Sequence, residues 1–453
     1  MHKLTKQLTG SLLVFSLLSS AAACAQEIQQ LSLKQCIDYA LIHQTAVKSA
    51  RLDEAITDAQ NREITGSALP QISGSGSFTD NLVIQKQLID VSIFDPTGRT
   101  PKGTLAPFEF GLQYNLLGFV TISQTLFDGA VLVALQAKKT VEELARKNVQ
   151  ETQRDTRVNV SKAYYNVLVT REELNQLSDN IHTLSESLHE TQEMYNNGVA
   201  EQLDIDRINV QLTNLETQQI SLRNSLELGY ELLKFQMGMP MGTSLALTDT
   251  LTFDDVRADL ADTTGFSYGQ RIEYSILQSE KMENLYNLKR YKMAYLPTLN
   301  ANGVIGANRA TEQFDYFNPH QFWYGYGYVG LSLNVPIFSS GERKSRVEEA
   351  MLNVDKMEVA MDELKQSIDL EQQQAGSNLR NDLQAIASQQ KNMALAKEVY
   401  TTTQKKFEQG VGSNLEVITA ENDLETARTN YFNALYDAMI AKIDYQKAYG
   451  KIQ

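Results

Sequence analysis

Four stretches of the chain alternate apolar and polar side chains with a period of two. In QISGSGSFTDN, Gln71, Ser73, Ser75, Ser77, Thr79 and Asn81 alternate with Ile72, Gly74, Gly76 and Phe78. In TLNANGVIGAN, Thr298, Asn300 and Asn302 alternate with Leu299, Ala301, Gly303, Ile305 and Ala307. The returning stretches alternate more clearly. Phe110, Leu112, Tyr114, Leu116, Val120, Ile122 and Leu126 oppose Gln113, Asn115, Thr121, Ser123 and Thr125, while Trp323, Val329, Leu331, Leu333, Val335 and Ile337 oppose Gly330, Ser332 and Asn334. This pattern predicts strands with one apolar and one polar face, in two pairs at about 70–127 and about 297–338.

Elsewhere the polar residues take over and the breakers vanish. The prolines, at 70, 96, 101, 107, 240, 297, 319 and 336, leave Gln113–Met239 and Ile337–Gln453 without one. No glycine lies between Gly129 and Gly198, and only Gly376 lies between Gly341 and Gly410. Because proline and glycine are the residues that interrupt a helix, these intervals predict helices over 130–197 and 342–409, each roughly 100 Å long. Shorter helices are predicted at about 43–67, ending before Leu69-Pro70, and at 203–237, ending at Gly238-Met239-Pro240. Their counterparts are 271–295, ending before Leu296-Pro297, and 413–449, ending at Gly450. The helical stretches are crowded with Gln, Asn, Ser and Thr around a broken stripe of Ala, Leu and Val. Without a sustained heptad, that stripe suits packing against neighbours on more than one side with one face wet.

The spacings Gly129 to Gly341, Gly198 to Gly410 and Gly238 to Gly450 are all 212 residues. The chain therefore reads as a tandem repeat: residues 26–240, a linker at 241–264, and residues 265–453.

Composition then narrows the setting. The net charge of −14 over 453 residues, with no cluster of Lys and Arg, argues against a nucleic-acid partner. Residues 1–25 have the form of an export signal: Lys3 and Lys6, the apolar run SLLVFSLLSSAAA, and Ala23-Cys24-Ala25 as a small-x-small cleavage site. Cleavage would leave Gln26 first and a charge of −16. The competing reading of Cys24 as a lipid-anchor cysteine lacks the usual large aliphatic residue three positions before it. After cleavage Cys36 is the only cysteine, so no intrachain disulfide is possible, and it reads as a small apolar helix residue.

Past the signal there is no apolar run long enough for a spanning helix, so any membrane segment must be a strand. An outward apolar face and the aromatics Phe314, Tyr316, Phe317, Phe322, Trp323, Tyr324, Tyr326 and Tyr328 fit an outer-membrane barrel with an interfacial girdle. A closed barrel needs about eight strands or more and an open edge in lipid is not viable, so several copies must share one barrel.

With these features the chain resembles the TolC-like outer membrane efflux proteins. The likeness covers essentially the whole mature chain. It rests on the order helix, Leu-Pro, strand pair, long helix, Gly-Val turn and helix, occurring twice, and on the turn motifs YNNGVAEQLDIDRIN and FEQGVGSNLEVITAEN. The resemblance implies a mainly α fold with a membrane β-barrel portion: a homotrimer with four strands per protomer, a twelve-stranded barrel in outer membrane lipid, and coiled-coil-like periplasmic helices forming a tunnel. It implies docking to a periplasmic membrane-fusion adaptor and an inner-membrane RND or ABC transporter, with the chain as a passive exit duct. It implies no cofactor and no catalytic residue. The chain stops three residues after Gly450, so 241–264 is the candidate for an equatorial belt. The loop at 82–107 is expected outside the cell.

The two turns hold the candidate site. Gly198 and Gly410 can take the left-handed conformation that ends a helix. Val199 and Val411 would then be exposed, and with Leu203, Ser413 and Leu415 they form the docking surface that the resemblance implies, against the plainer reading of local capping contact. Asp204 and Glu416 are acids at matched places. Copies of Glu416 around one axis would make a carboxylate ring that favours cations. The resemblance puts the Glu416 position at the constriction, where the next acid is replaced by Thr419. It puts the Asp204 position in closing the tip, but the usual partners appear here as Phe407 and Gly412, which leaves Arg207 as a substitute, with Asp206 beside it. Ser413 and Glu416 also spell a capping box, an alternative reason for that acid. Glu201 stands where the equivalent serine would be, so capping is not expected to account for Asp204.

Three decoys carry less. Gly325, Gly327 and Gly330 spell GxGxxG inside a strand instead of opening a helix. His182 and His189 share a helix face without a third ligand, which argues against a metal site. No Ser, His and Asp arrangement suggests catalysis. Two functional classes remain, a passive export duct and a non-conducting structural or adhesive envelope trimer; a diffusion porin would not need such long helices. No residue discriminates among exported substrates.

Overall fold

The computed structural model describes residues 29–250, 266–316 and 322–452. The export signal with Cys24, and residues 251–264 of the linker, lie outside them. In chain order the elements are β1 Gln29–Leu31, α1 Leu33–His43, α2 Thr45–Ser67, β2 Gln71–Asp80, β3 Lys86–Asp90, β4 Leu105–Glu109 and β5 Tyr114–Phe127. There follow α3 Gly129–Asn196, α4 Gln202–Met237, β6 Leu245–Leu247, α5 Ile272–Met293, β7 Thr298–Thr311, β8 Tyr324–Asn334, α6 Glu342–Glu408 and α7 Asn414–Ala448. Two compact units form: one from Met1–Leu52, Lys147–Ser275 and Glu363–Gln453, the other from Asp53–Arg146 and Ile276–Asp362. Among the described residues no helix is long and apolar enough to cross a membrane.

The first helix starts well before residue 43. Ser32 caps α1, its hydroxyl accepting from Gln35 N–H while Gln35 Oε1 accepts from Ser32 N–H at 2.9 Å. This Ser-x-x-Gln box is a start signal in the sequence that the proline and glycine intervals do not register. Extended backbone at Gln44 separates α1 from α2. Cys36 is fully buried in α1, and burial pushes its thiol up to about 12, so it is an inert, uncharged filler.

The helical unit packs around Tyr164. Val160, Ala163, Val167 and Leu168 of α3 meet Leu233 and Met237 of α4 and Cys36 and Ala40 of α1. Tyr164 Oη donates to Asp249 Oδ2 at 2.8 Å, and Arg171 donates to the carbonyls of Leu247 and Asp249 at 2.8 and 2.7 Å. These bonds fasten the start of the linker, where β6 pairs in parallel with β1. A second fastening sits at Arg271, which donates to Ala448 O at 2.9 Å and reaches Glu273 and Glu371. Burial alone would raise the Glu273 carboxyl, but Arg271 and Arg154 outweigh it and hold the group at about 2.

The other unit contains the sheet. Its order is β2-β5-β7-β8, antiparallel throughout, with β2 and β8 as open edges. The pairings Ile72↔Ile122↔Gly303↔Val329 and Gly74↔Val120↔Ile305↔Gly327 place Ile72, Val120, Ile122, Ile305, Val329, Leu331 and Leu333 on one face. That face is apolar and exposed. The opposite face carries Ser73, Ser75, Ser77, Thr121, Ser123, Asn300, Asn302, Ser332 and Asn334.

The register corrects one reading of the aromatics. Tyr324, Tyr326 and Tyr328 share parity with Ser332 and Asn334, so they stand on the polar face and cannot belong to a lipid-facing girdle. Phe314 and Tyr316 do gather on the apolar side, edge-on to Phe78 at 5.8 and 5.7 Å. Arg309 lies beside them, paired with Asp315 and 5.1 Å from the Tyr316 ring centre. Residues 82–107 hold a hairpin of their own, β3 with β4. Asp95 anchors its turn, accepting from the N–H groups of Thr97 and Thr100 at 2.8 and 2.7 Å.

Candidate functional site

Both turns close in the same way, and the reason lies in the backbone. After α3, Gly198 takes φ +77° and donates to Tyr195 O, while Val199 N–H donates to Met194 O at 2.9 Å. After α6, Gly410 takes φ +71° and donates to Phe407 O, while Val411 N–H donates to Lys406 O at 2.9 Å. This is the Schellman arrangement, which satisfies the last carbonyls of a helix and requires a left-handed residue. It turns the next side chain outward. Val199 and Val411 are 77% and 80% exposed, and Leu203 and Leu415 follow at 50% and 54%. The hairpins thus present matched apolar pairs to solvent.

The acids behave differently from their sequence reading. Asp204 Oδ2 accepts from Glu201 N–H at 3.2 Å, so it is Asp204 that bonds back to the start of its helix. At the second turn Ser413 Oγ accepts from Glu416 N–H at 3.3 Å, but the Glu416 carboxylate is exposed and makes no return bond among the described residues. The expectation that capping accounts for Glu416 and not for Asp204 is therefore reversed. Ser and Glu differ in reach: with the glutamate at the N-cap, the short Asp204 side chain spans back to the backbone. Arg207 Nη1 lies 3.7 Å from Asp204 Oδ1, one turn along the same helix. Asp206 Oδ1 accepts from Gln202 Nε2 at 2.9 Å and points to solvent. Thr419 Oγ1 donates to Leu415 O at 2.8 Å.

Two residues that the sequence reading passed over join the two hairpins, and a third lies buried between them. Asn414, the first residue of α7, is buried, and its Nδ2 donates to Asp204 O at 2.9 Å, tying one turn to the other. Farther along α7, Glu425 accepts from Asn180 of α3 and Gln218 of α4, each at 3.3 Å, with Arg428 at 3.7 Å. Between them Glu421 is fully buried, and neither carboxylate oxygen has a hydrogen-bond partner. Burial, and next the charge of Glu425, push its carboxyl up to about 7 against the pull of Arg428. One signal was present in the sequence: Glu421 shares a stripe with Val417, Ala420 and Leu424, all buried, where an apolar residue is the rule.

The decoys take ordinary places. Gly325, Gly327 and Gly330 lie within β8. His182 is exposed, with Nδ1 3.6 Å from Glu186 Oε1. Among the described residues no group of three or more His, Cys, Asp and Glu could hold a metal ion.

Comparison with known proteins adds an independent line. The family model described as outer membrane efflux protein matches residues 36–238 and 280–451. The chain is similar to the outer membrane protein TolC of Vibrio cholerae, 21% identical over 344 residues, covering 74% of this chain and 76% of that protein. It is also similar to the proteases secretion protein PrtF of Dickeya chrysanthemi, 24% identical over 334 residues, with 71% and 70% covered. Among solved structures, the CmeC outer membrane channel of Campylobacter jejuni superposes with a TM-score of 0.71 at 19% identity, over 92% of this chain and 85% of that one.

Proposed function

Since the chain belongs to the outer membrane efflux protein family, we propose that its paired turns are the periplasmic mouth of an export duct. The protein is an outer membrane channel that works as a homotrimer with a periplasmic adaptor and an inner-membrane pump, and three protomers close the barrel. It is a passive exit for substrates that its partners energise, and not an enzyme. The observation that carries this reading is the four-stranded sheet with two open edges, one face apolar and the other polar. Such a sheet is viable in lipid only when copies pair edge to edge around an aqueous lumen.

Within the mouth, the Asn414 bond to Asp204 O ties the two turns together, the Asp204–Arg207 pair steadies the first turn of α4, and exposed Glu416 from each protomer supplies a carboxylate ring. Clustered carboxylates raise the local cation concentration. The experiment is single-channel recording from purified trimers in a planar bilayer, with the mouth relaxed by Asn414→Ala together with Arg207→Ala. Cation-selective current is expected, with selectivity falling when Glu416→Gln is added. Trimers that pass no current even when relaxed would instead be the closed envelope stalk. Equal selectivity with and without Glu416 would remove the ring.

A further inference from the structure

We infer that the lumen face of the barrel carries a stacking site for planar aromatic solutes, formed by Phe119, Tyr326 and Tyr328 beside Val304. The inference rests on the duct reading, because it takes the polar face of the sheet as the wall of the passage. Gly306 pairs with Phe119 on β5 and with Tyr326 on β8, so the two rings flank it on the same face. Val304, one step along that face, pairs with Thr121 and with Tyr328. No side chain can replace the glycine without a shift. A Cβ at Gly306 would stand 2.6 Å from Phe119 Cβ and 2.7 Å from Gly118 O. The space over that glycine is thus taken up by β5, and a solute ring would lie instead in the groove between Phe119 on β5 and Tyr326 and Tyr328 on β8, strands about 9.5 Å apart, two strand spacings. A groove of 450 Å³ opens along Asn302 and Val304, lined also by Phe119, Thr121, Tyr326 and Tyr328.

Two features point to a solute as the occupant. Tyr324, Tyr326 and Tyr328 are 69%, 38% and 61% exposed, on a face that also carries Ser73, Ser75, Ser77, Thr121, Asn300 and Asn302. A wall that only has to be wet needs no rings, and exposed ring area is unfavourable in water. On the trimer reading the strand beside β8 is the next protomer's β2, whose lumen face carries Gln71 and then the short Ser73, Ser75, Ser77 and Thr79, which offer the tyrosines little cover. No strand residue on the described lumen face is charged, so recognition there is by ring stacking and by the tyrosine hydroxyls, tolerant of solute identity.

The test uses proflavine, a planar aromatic cation, and tetraethylammonium, an aliphatic cation of equal charge, applied to mouth-relaxed trimers during single-channel recording. Proflavine is expected to interrupt the current with blocks about tenfold longer than those in trimers also carrying Tyr326→Ser and Tyr328→Ser, the size expected for loss of one or two aromatic contacts. Tyr326→Phe with Tyr328→Phe keeps the long blocks, and tetraethylammonium gives none in any variant. If the serine variant does not assemble, Tyr326→Leu with Tyr328→Leu makes the same comparison. Proflavine blocks of equal length in tyrosine and serine or leucine trimers, or equal blocking by tetraethylammonium, would overturn the site while leaving the duct intact. No open-channel current in any trimer would overturn the duct reading, and this site with it.

Discussion

Glu421 is the residue whose chemistry departs furthest from its neighbours. It sits on the buried stripe of α7 beside Tyr400, Val417 and Leu424, with neither oxygen bonded. Its carboxyl is raised from 4.5 to about 7, so the folded protein holds a proton that the unfolded chain gives up. The stabilisation from that proton is complete below pH 4.5 and is lost as pH rises through about 7, on the order of 3 kcal/mol per protomer. Glu421→Gln stays neutral at every pH. Its melting temperature is therefore expected to match wild type at pH 4 and exceed it at pH 8. A variant that tracks wild type across the range would show that the carboxyl is ionised in place. The residue was legible only as an anomaly in a pattern: periodicity marks the stripe, but which groups face a stripe acid depends on α3, α4 and α6 meeting there.

At the scale of elements, residues that cannot continue a helix carried most of the information. The long helices, placed at 130–197 and 342–409 by the glycine intervals, run Gly129–Asn196 and Glu342–Glu408. What those intervals could not show was structure begun by capping or by tertiary pairing: α1 with its Ser32 box, the β3–β4 hairpin, and the short β1–β6 ladder whose strands lie far apart in sequence. Nor could they show which glycines stand against backbone. Gly198 and Gly238 both have positive φ, yet nothing lies within 4 Å of a Cβ at Gly198, whereas one at Gly238 would meet His43 O at 2.7 Å. Gly198→Ala should therefore cost only the left-handed conformation, about 1 kcal/mol. Gly238→Ala adds a collision with the α1–α2 junction and should cost at least about 2 kcal/mol more, within the range for overpacking. Thermal melts of the two variants would check this, and equal losses would mean that the junction yields.

For the whole molecule, the export complex depends on surfaces that one chain leaves uncovered. Val199, Val411, Leu203 and Leu415 are apolar, exposed and repeated, as a docking patch for the adaptor requires. Val411→Asp should abolish cross-linking to the adaptor while trimers still form, since the residue touches no core of its own chain; undiminished cross-linking would refute the patch. The uncovered edges of the sheet carry a different consequence, for the order of assembly. A single protomer offers β2 and β8 unpaired, and no bilayer tolerates those backbone groups bare. Insertion and association are thus one event whose rate depends steeply on the concentration of waiting copies. Before it, each copy must survive in water with the backbone groups of its β2 and β8 edges unpaired, a state open to wrong pairing until a partner arrives.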